Sequence, residues 1–468
     1  MKRYAYILII ELLATINGVL AQDLQRFSER DVVGTARYIG MGGAMTAVGG
    51  DPSAVMDNPA GLGLYRRSEI QLTIDETMDY TQQVGSNDMY QRLRFGLPQV
   101  SAIWSWGKND RQRGLVYSNF MFSMNRLTNY NREVVVHGAG MGLVNTICEK
   151  TNNLSEEYLV NKPWNDTEIG WLSILGYEGY LIDPSINNQW VPAVDFTNGS
   201  LSIYETGTVD QYTLSWSGNI SNQWYVGINL NIPTLTYRKE FTLHETNRIN
   251  SAKLKSLYYA SGLGVSGTLG VLYRPLQWLR VGASFQTPAL INLSVQTEGD
   301  MYSMIRDEKY EILTPSSGVV NTQIVLPLRT SIGLAGQIGK EGMISIQYDY
   351  AHSEDIEDVH TLRIGAEAQV YRGLFMNAGY VYESSFLNEE PIVTLDYNSI
   401  RTDLDYRYTV QSQYASIGLG YRDNIIVGQV TYQYRWQRLH QYATEMQVTP
   451  FGVNTHAHRI VASLAWRF

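Results

Sequence analysis

Residues 459–468 restrict the fold more than any other stretch of the chain. Ile460, Ala462, Leu464, Trp466 and Phe468 recur at every second position, with Arg459, Ser463 and Arg467 between them. Successive side chains of a strand point to opposite faces, so this strand has one greasy face and one wet face right up to its aromatic end. A sheet separating hydrocarbon from an aqueous lumen needs that division, although a soluble sandwich shows the same period.

The pattern returns along the chain. Trp224, Val226, Ile228 and Leu230 alternate with Tyr225, Gly227, Asn229 and Asn231. Leu279–Phe285, Ile344–Tyr350, Leu362–Ala368 and Met376–Tyr382 behave alike. We read strands near 68–78, 94–106, 112–124, 206–217, 222–237, 254–272, 277–287, 322–337, 342–353, 360–370, 373–384, 412–421, 423–435 and 457–468. That is an even set, as required when both ends of a barrel lie on one side.

The connections separate a barrel from a sandwich. Short links fall at Gly107–Arg111, Gly218–Ser221, Tyr273–Leu276, Ile338–Glu341, Tyr371–Arg372 and Arg422, as periplasmic turns do. The alternate links, 125–205, 288–321, 385–411 and 436–456, are long and belong outside the cell; only the acidic link Ser353–Val359 is short there. The expected fold is therefore all-β, a transmembrane antiparallel β-barrel of fourteen strands spanning 68–468, with a long extracellular insertion at 125–205. Tyr432, Tyr434 and Trp436 near one strand end, and Trp104 and Trp106 near another, suit headgroup depth. High glycine and tyrosine (41 and 33) beside 13 prolines fit many strands with tight turns.

Lys2 and Arg3, an apolar stretch interrupted by Glu11, and small residues at Val19 and Ala21 form a secretory signal over 1–21. No later window is apolar enough for a membrane helix. The net charge of -9 and the lack of a basic stripe argue against nucleic acid. Cys148 is the lone cysteine, so neither an intrachain disulfide nor a cysteine metal cluster can form.

Residues 22–67 do not alternate. They carry Gly40, Gly42 and Gly43, then Gly49-Gly50-Asp51-Pro52, then Asn58-Pro59-Ala60-Gly61. A phosphate loop is excluded because no strand precedes the glycines and no Walker lysine follows. Glycines instead allow close packing in a confined space. A fourteen-stranded barrel is too wide for its own side chains to fill, so 22–67 is expected to be an N-terminal plug. Asp51 is expected to cap a short helix, and Asn58–Gly61 to form a rigid turn into the wall.

Thr35-Ala36-Arg37, Gly40-Met41-Gly42-Gly43-Ala44, Gly49–Ala54 and Asn58–Gly63 resemble the FadL/OmpP1/TodX family of outer-membrane transporters, particularly its Bacteroidetes members. The resemblance implies that Asn58, Pro59 and Ala60 are the hatch motif of a plugged barrel. It also implies uptake of hydrophobic compounds such as long-chain fatty acids by luminal binding and hatch-gated, lateral release. It identifies no ligand-contacting residue here.

The implied surroundings are outer-membrane lipid and lipopolysaccharide, a hydrophobic small-molecule ligand and the barrel-assembly machinery, which would read Trp466 and Phe468; the chain is expected to be a monomer without cofactor or metal. Pro98 interrupts the second strand and marks either a wall kink or a tolerated edge proline. Pro233 interrupts a strand closer to the outside. Ile169–Tyr177 either caps a ligand pocket, packs over the rim or meets a partner. His352 and His360 flank an acidic loop that either attracts a cation or is simply solvated. No G-x-S-x-G or H-E-x-x-H motif marks an enzyme. A structural or adhesive barrel without transport is the competing role.

Overall fold

The structure, a computed structural model, describes residues 21–107, 113–160, 164, 166–339, 341–354, 356–384 and 395–468. The expected signal sequence lies almost wholly outside the described residues, as does 385–394 of one long link. Among the described residues, fourteen antiparallel wall strands close into a barrel. They are β1 (Glu69–Gln83), β2 (Met89–Gly107), β3 (Leu115–Asn129, resuming at Arg132–Gly138), β4 (Asn198–Ile220), β5 (Trp224–Thr246) and β6 (Ser251–Leu276). Then follow β7 (Leu279–Gln286 and Ala289–Ile305), β8 (Val320–Leu326 and Leu328–Ile338), β9 (Gly342–His352), β10 (Val359–Tyr371) and β11 (Leu374–Ser384). The last are β12 (Tyr406–Arg422), β13 (Ile426–Tyr442) and β14 (Phe451–Arg467). Each pairs with its neighbour, and β14 returns to β1 with Trp466 opposite Ile70 and Arg459 opposite Thr77.

Every strand inferred from alternation is present, but the wall is taller than expected. β4, β5 and β6 run well beyond the apolar belt, so the links at 125–205, 288–321 and 436–456 shrink. The insertion between β3 and β4 occupies only 139–197, and most of 288–321 is strand, including a short hairpin strand at Glu308–Leu313 paired to the top of β7. Above the lipid a strand no longer needs a greasy face, so the alternation that marks it disappears while its hydrogen bonds continue. The short turns lie between Ile220 and Trp224, Leu276 and Leu279, Ile338 and Gly342, Tyr371 and Leu374, and Arg422 and Ile426.

The outward belt is apolar: Leu72, Phe120, Leu214, Ile228, Leu269, Ile332, Ile364, Leu419 and Leu464 are all exposed. On β13 the belt runs from Ile426 to Trp436. Ten residue steps at about 3.3 Å and a tilt of about 40° span about 25 Å, the height of such a band. Trp466 and Phe468 end it in contact, ring centroids 5.2 Å apart, and the Phe468 N–H donates to the Ser68 carbonyl at 3.0 Å.

Residues 21–67 lie inside the barrel as a plug. They form α1 (Ala21–Ser28), α2 (Ala36–Gly40), α3 (Ala54–Asp57) and a 3-10 turn at Pro59–Leu64. Outside, the insertion contributes α4 (Leu143–Thr151), α5 (Glu156–Val160) and α6 (Trp171–Glu178). These helices share one apolar core with the tops of β4–β7: Ile147, Leu159, Ile174 and Leu175 pack with Leu201, Leu243, Leu254 and Met301. Ile169–Tyr177 thus supplies part of a core lying over the barrel rim, and Cys148 is buried there.

Candidate functional site: plug, lumen and wall break

The plug is seated by polar bonds and by glycines in the wall. Asn58 donates to the carbonyls of Thr46 (2.9 Å) and Val271 (3.1 Å), while its Oδ1 accepts the Ala60 N–H at 3.0 Å. Pro59 opens the 3-10 turn, where its missing N–H has no cost. A Cβ on Gly270 of β6 would lie 2.0 Å from the Asn58 Oδ1, and one on Gly227 of β5 2.4 Å from the Pro59 carbonyl carbon. The Asn58-Pro59-Ala60 turn therefore touches the wall backbone itself.

Gly40, Gly42 and Gly43 sit on the other side, against β10–β12. Gly42, at φ +61°, approaches the backbone of Tyr380, and Ser416 donates to the Ile39 carbonyl at 2.7 Å. Gly61 meets Gly49 between the two regions.

Asp51 does not cap α3; Ser53 occupies that position without a side-chain cap bond. Asp51 instead accepts Thr35 Oγ1 at 2.8 Å and the Ser53 N–H at 2.9 Å, tying the two ends of the plug loop together. Burial pushes its carboxyl above the usual range, against the opposing effect of Arg37 and these two bonds. Pro52 lines a small cavity beneath, together with Arg37 and Arg422. Arg37 in turn forms a two-pronged pair with Glu367 at 2.7 and 3.0 Å.

Higher in the lumen, α1 fills an apolar pocket. Leu24 and Phe27 pack against Leu127, Tyr130, Leu235, Tyr237, Tyr258 and Ile291, contributed by β3, β5, β6 and β7. Phe27 lies edge-on to Tyr237 and Tyr130, at centroid distances of 5.3 and 6.2 Å. The polar side of α1 and the residue that follows it are clamped as well: Asp23 to Arg401 (2.5 Å), Arg26 to Glu205 (3.1 Å) and, just past the helix, Glu29 to Arg407 (2.7 Å). No motif in the sequence marks these residues. Their only local signal is the spacing of Leu24 and Phe27 among charges.

Below α1 the lumen is polar. Two adjoining cavities of about 70 and 50 Å³ share Arg30, Asp31 and Glu383. They have room for a few waters, not for a long acyl chain. Arg30 donates to Gln286 and Arg329 to the Ser28 carbonyl, while Arg363 pairs with Asp349 at 2.7 Å.

The wall changes character at Pro98. Leu97 and Pro98 stand opposite Ile74 alone, a bulge in the β1–β2 ladder. On the other side, β2 pairs with β3 only from Gln99 to Gly107. From Met89 to Pro98 it has no backbone partner on β3, whose upper part pairs with β4. Side chains bridge the break: Arg94 donates to the Asn129 carbonyl at 3.2 Å, Arg92 to Glu133 at 3.3 Å, and Gln83 to the His137 carbonyl at 2.9 Å. The larger luminal cavity lies just inside, bounded by Thr128–Arg132. Outside, Phe95 is 75% exposed. Pro233, by contrast, remains paired to Gln211 of β4 and only interrupts pairing with β6. In the acidic loop Asp358 is engaged by His352 and Tyr350, each at 2.6 Å.

No family model and no curated protein sequence matches the chain. Solved structures do. A Pseudomonas aeruginosa FadL homologue aligns at TM-score 0.55 and 11% identity, over 94% of this chain and 99% of that one. The CymD monoaromatic hydrocarbon channel aligns at 0.52 and 12%, over 94% and 99%. The Pseudomonas putida toluene transporter TodX aligns at 0.51 and 13%, over 94% and 100%. At such identities the likeness is one of fold.

Proposed function

We propose that this chain is a FadL/OmpP1/TodX-type channel of the outer membrane that takes up hydrophobic small molecules, long-chain fatty acids among the candidates, and releases them sideways into the bilayer. The observation that carries this reading is the break between β2 and β3 above Gln99, beside a luminal cavity and facing lipid. The CymD monoaromatic hydrocarbon channel and the toluene transporter TodX, which share this fold, support the class of solute.

In this reading the binding pocket is the apolar one that α1 occupies. Leu24 and Phe27 stand where an apolar solute would lie, and burial of its surface contributes roughly 25 cal/mol per Å² without covalent chemistry. Entry then requires α1 to leave, and exit requires the Arg92 and Arg94 bridges to part. The hatch proper, Gly40–Gly43 and Asn58–Gly61, is packed against wall backbone on two sides and serves as a fixed floor. Movement is confined to residues before Gly34. Trp466 and Phe468 are the assembly signal.

The test is native extraction followed by identification of retained ligand, together with uptake measured in a deletion strain. A retained apolar compound and an uptake defect restored by the wild-type gene are expected. Absence of both would refute transport. The second reading, a structural or adhesive barrel, draws on the charged filling of the lower lumen and on the large extracellular core. It requires normal uptake in the deletion strain alongside a defect in envelope integrity or attachment.

A further inference from the structure

We propose that a groove on the extracellular cap binds an organic cation, an ammonium group carried on an apolar body. The groove has a volume of about 640 Å³ and lies outside the barrel, between α6 with the following Ile182–Pro184 strand and the Glu308–Leu313 hairpin. That volume is within the range of small-molecule sites, about 300–1,000 Å³.

Its walls are tyrosines whose rings are held in place. Tyr177 donates to Glu156 at 3.1 Å and lies edge-on to Trp190 at 5.7 Å; Tyr310 donates to Glu308. Tyr180 packs against Tyr310 with ring centroids 4.5 Å apart. Tyr180 is 57% exposed, on a backbone at φ +53°. The base is rigid, because Ile182 belongs to the cap's apolar core and Ser303 donates to the Gly179 carbonyl at 2.7 Å.

The charge of the lining selects the occupant. Among the described residues, Glu156, Glu178, Asp183 and Glu311 line the groove with Lys309 as the one cation, four negative charges against one positive, a net of -3. The lumen follows a different rule: Glu205 meets Arg26, Arg132 and Arg407. An anion is repelled from the groove. A neutral sugar needs several donors as well as acceptors, yet among the described lining residues there is no Asn, Gln, Ser, Thr or Arg, and the Tyr177 and Tyr310 hydroxyls already donate to Glu156 and Glu308, which leaves Lys309 and Tyr180 to donate. An ammonium with an apolar body satisfies both the carboxylates and the faces of the rings, whose negative quadrupole attracts cations. The site is separate from the lumen, and its test does not depend on transport.

The full chain in detergent micelles is titrated with choline, with its neutral isostere 3,3-dimethylbutan-1-ol and with maltose, and contact is followed by saturation-transfer NMR. Choline is expected to bind with an affinity that falls as salt rises, and the isostere much more weakly. Tyr180→Ala and Glu311→Gln, both at exposed positions, are each expected to weaken choline roughly three- to thirtyfold while leaving the heat-modifiable migration of the barrel intact. Equal binding of the isostere, binding of maltose without choline, or choline affinity unchanged in both variants would overturn the assignment.

Discussion

Replacing Phe27 by alanine separates a plug helix that competes with ligand from one that only supports the barrel. Phe27 is 2% exposed and wedged between Tyr130 and Tyr237. Removing so buried a ring from a packed site costs about 3–5 kcal/mol. Here the loss falls on docking of α1, because the wall pocket is held independently by its own strands. Taking about 3 kcal/mol, at about 1.4 kcal/mol per factor of ten, the undocked population rises by about two orders of magnitude. While the docked form still dominates, affinity for a luminal ligand rises by the same factor, since the competent fraction scales apparent affinity. The assay pairs titration of the purified chain with a fluorescent apolar probe and hydrogen exchange over residues 21–30. Faster exchange with a probe affinity raised tenfold to a hundredfold is expected. Phe285→Ala, on the lipid face, is the control and should change neither. Fast exchange in α1 with unchanged probe affinity would refute the idea that helix and ligand share one pocket.

Three further outcomes are expected. Pro98→Val restores a backbone N–H and allows β2 to stay in register past the bulge, so probe transfer into vesicles should slow by about tenfold; an unchanged rate would detach Pro98 from release. Gly270→Ala places a methyl group 2.0 Å from the Asn58 Oδ1, and such overpacking typically costs about 1–3 kcal/mol; the temperature at which the heat-modifiable band shifts should fall, and an unmoved transition would mean that the turn is loosely seated. Burial alone would raise the Asp403 carboxyl, but Arg401 and Lys239 outweigh it and hold it well below the ordinary 3.8. Its contribution is therefore complete above that pH and lost as pH falls below it toward the folded-state value. Protection from hydrogen exchange around Lys239 and Asp405, taken relative to the intrinsic rate at each pH, should fall on acidification below pH 3.8 in the wild type but much less in Asp403→Asn.

The strands were legible wherever lipid imposes a rule. Ile344, Ile346 and Tyr348 had to alternate with Ser345 and Gln347 because one face meets hydrocarbon, and all fourteen strands surfaced that way. The plug was legible from the opposite property, glycine-rich sequence without alternation next to a barrel too wide to fill itself. The strand extensions were not. Lys239 sits in the upper part of β5 because Asp403 and Asp405 bind it at 2.6 and 2.7 Å, and no local pattern announces partners so far along the chain. Leu24 and Phe27 were hidden for the same reason: Tyr130, Tyr237 and Tyr258 form their pocket only after the barrel has closed. Pro98 was visible as an interruption, but that β2 loses β3 as a partner above Gln99 depends on where β3 turns toward β4, which no local pattern announces.

β14 does more than complete the circle. Its Ser463 hydroxyl accepts the Ala36 N–H at 2.7 Å and its Arg459 reaches the Val32 carbonyl at 3.3 Å, while its backbone closes onto β1. Filling and sealing are thus properties of the same strand. Arg459 also donates to Thr77 of β1 and Gln433 of β13 and pairs with Asp75, so a single side chain ties the closing seam on both flanks to the floor it encloses, and whatever loosens the floor is felt at the seam.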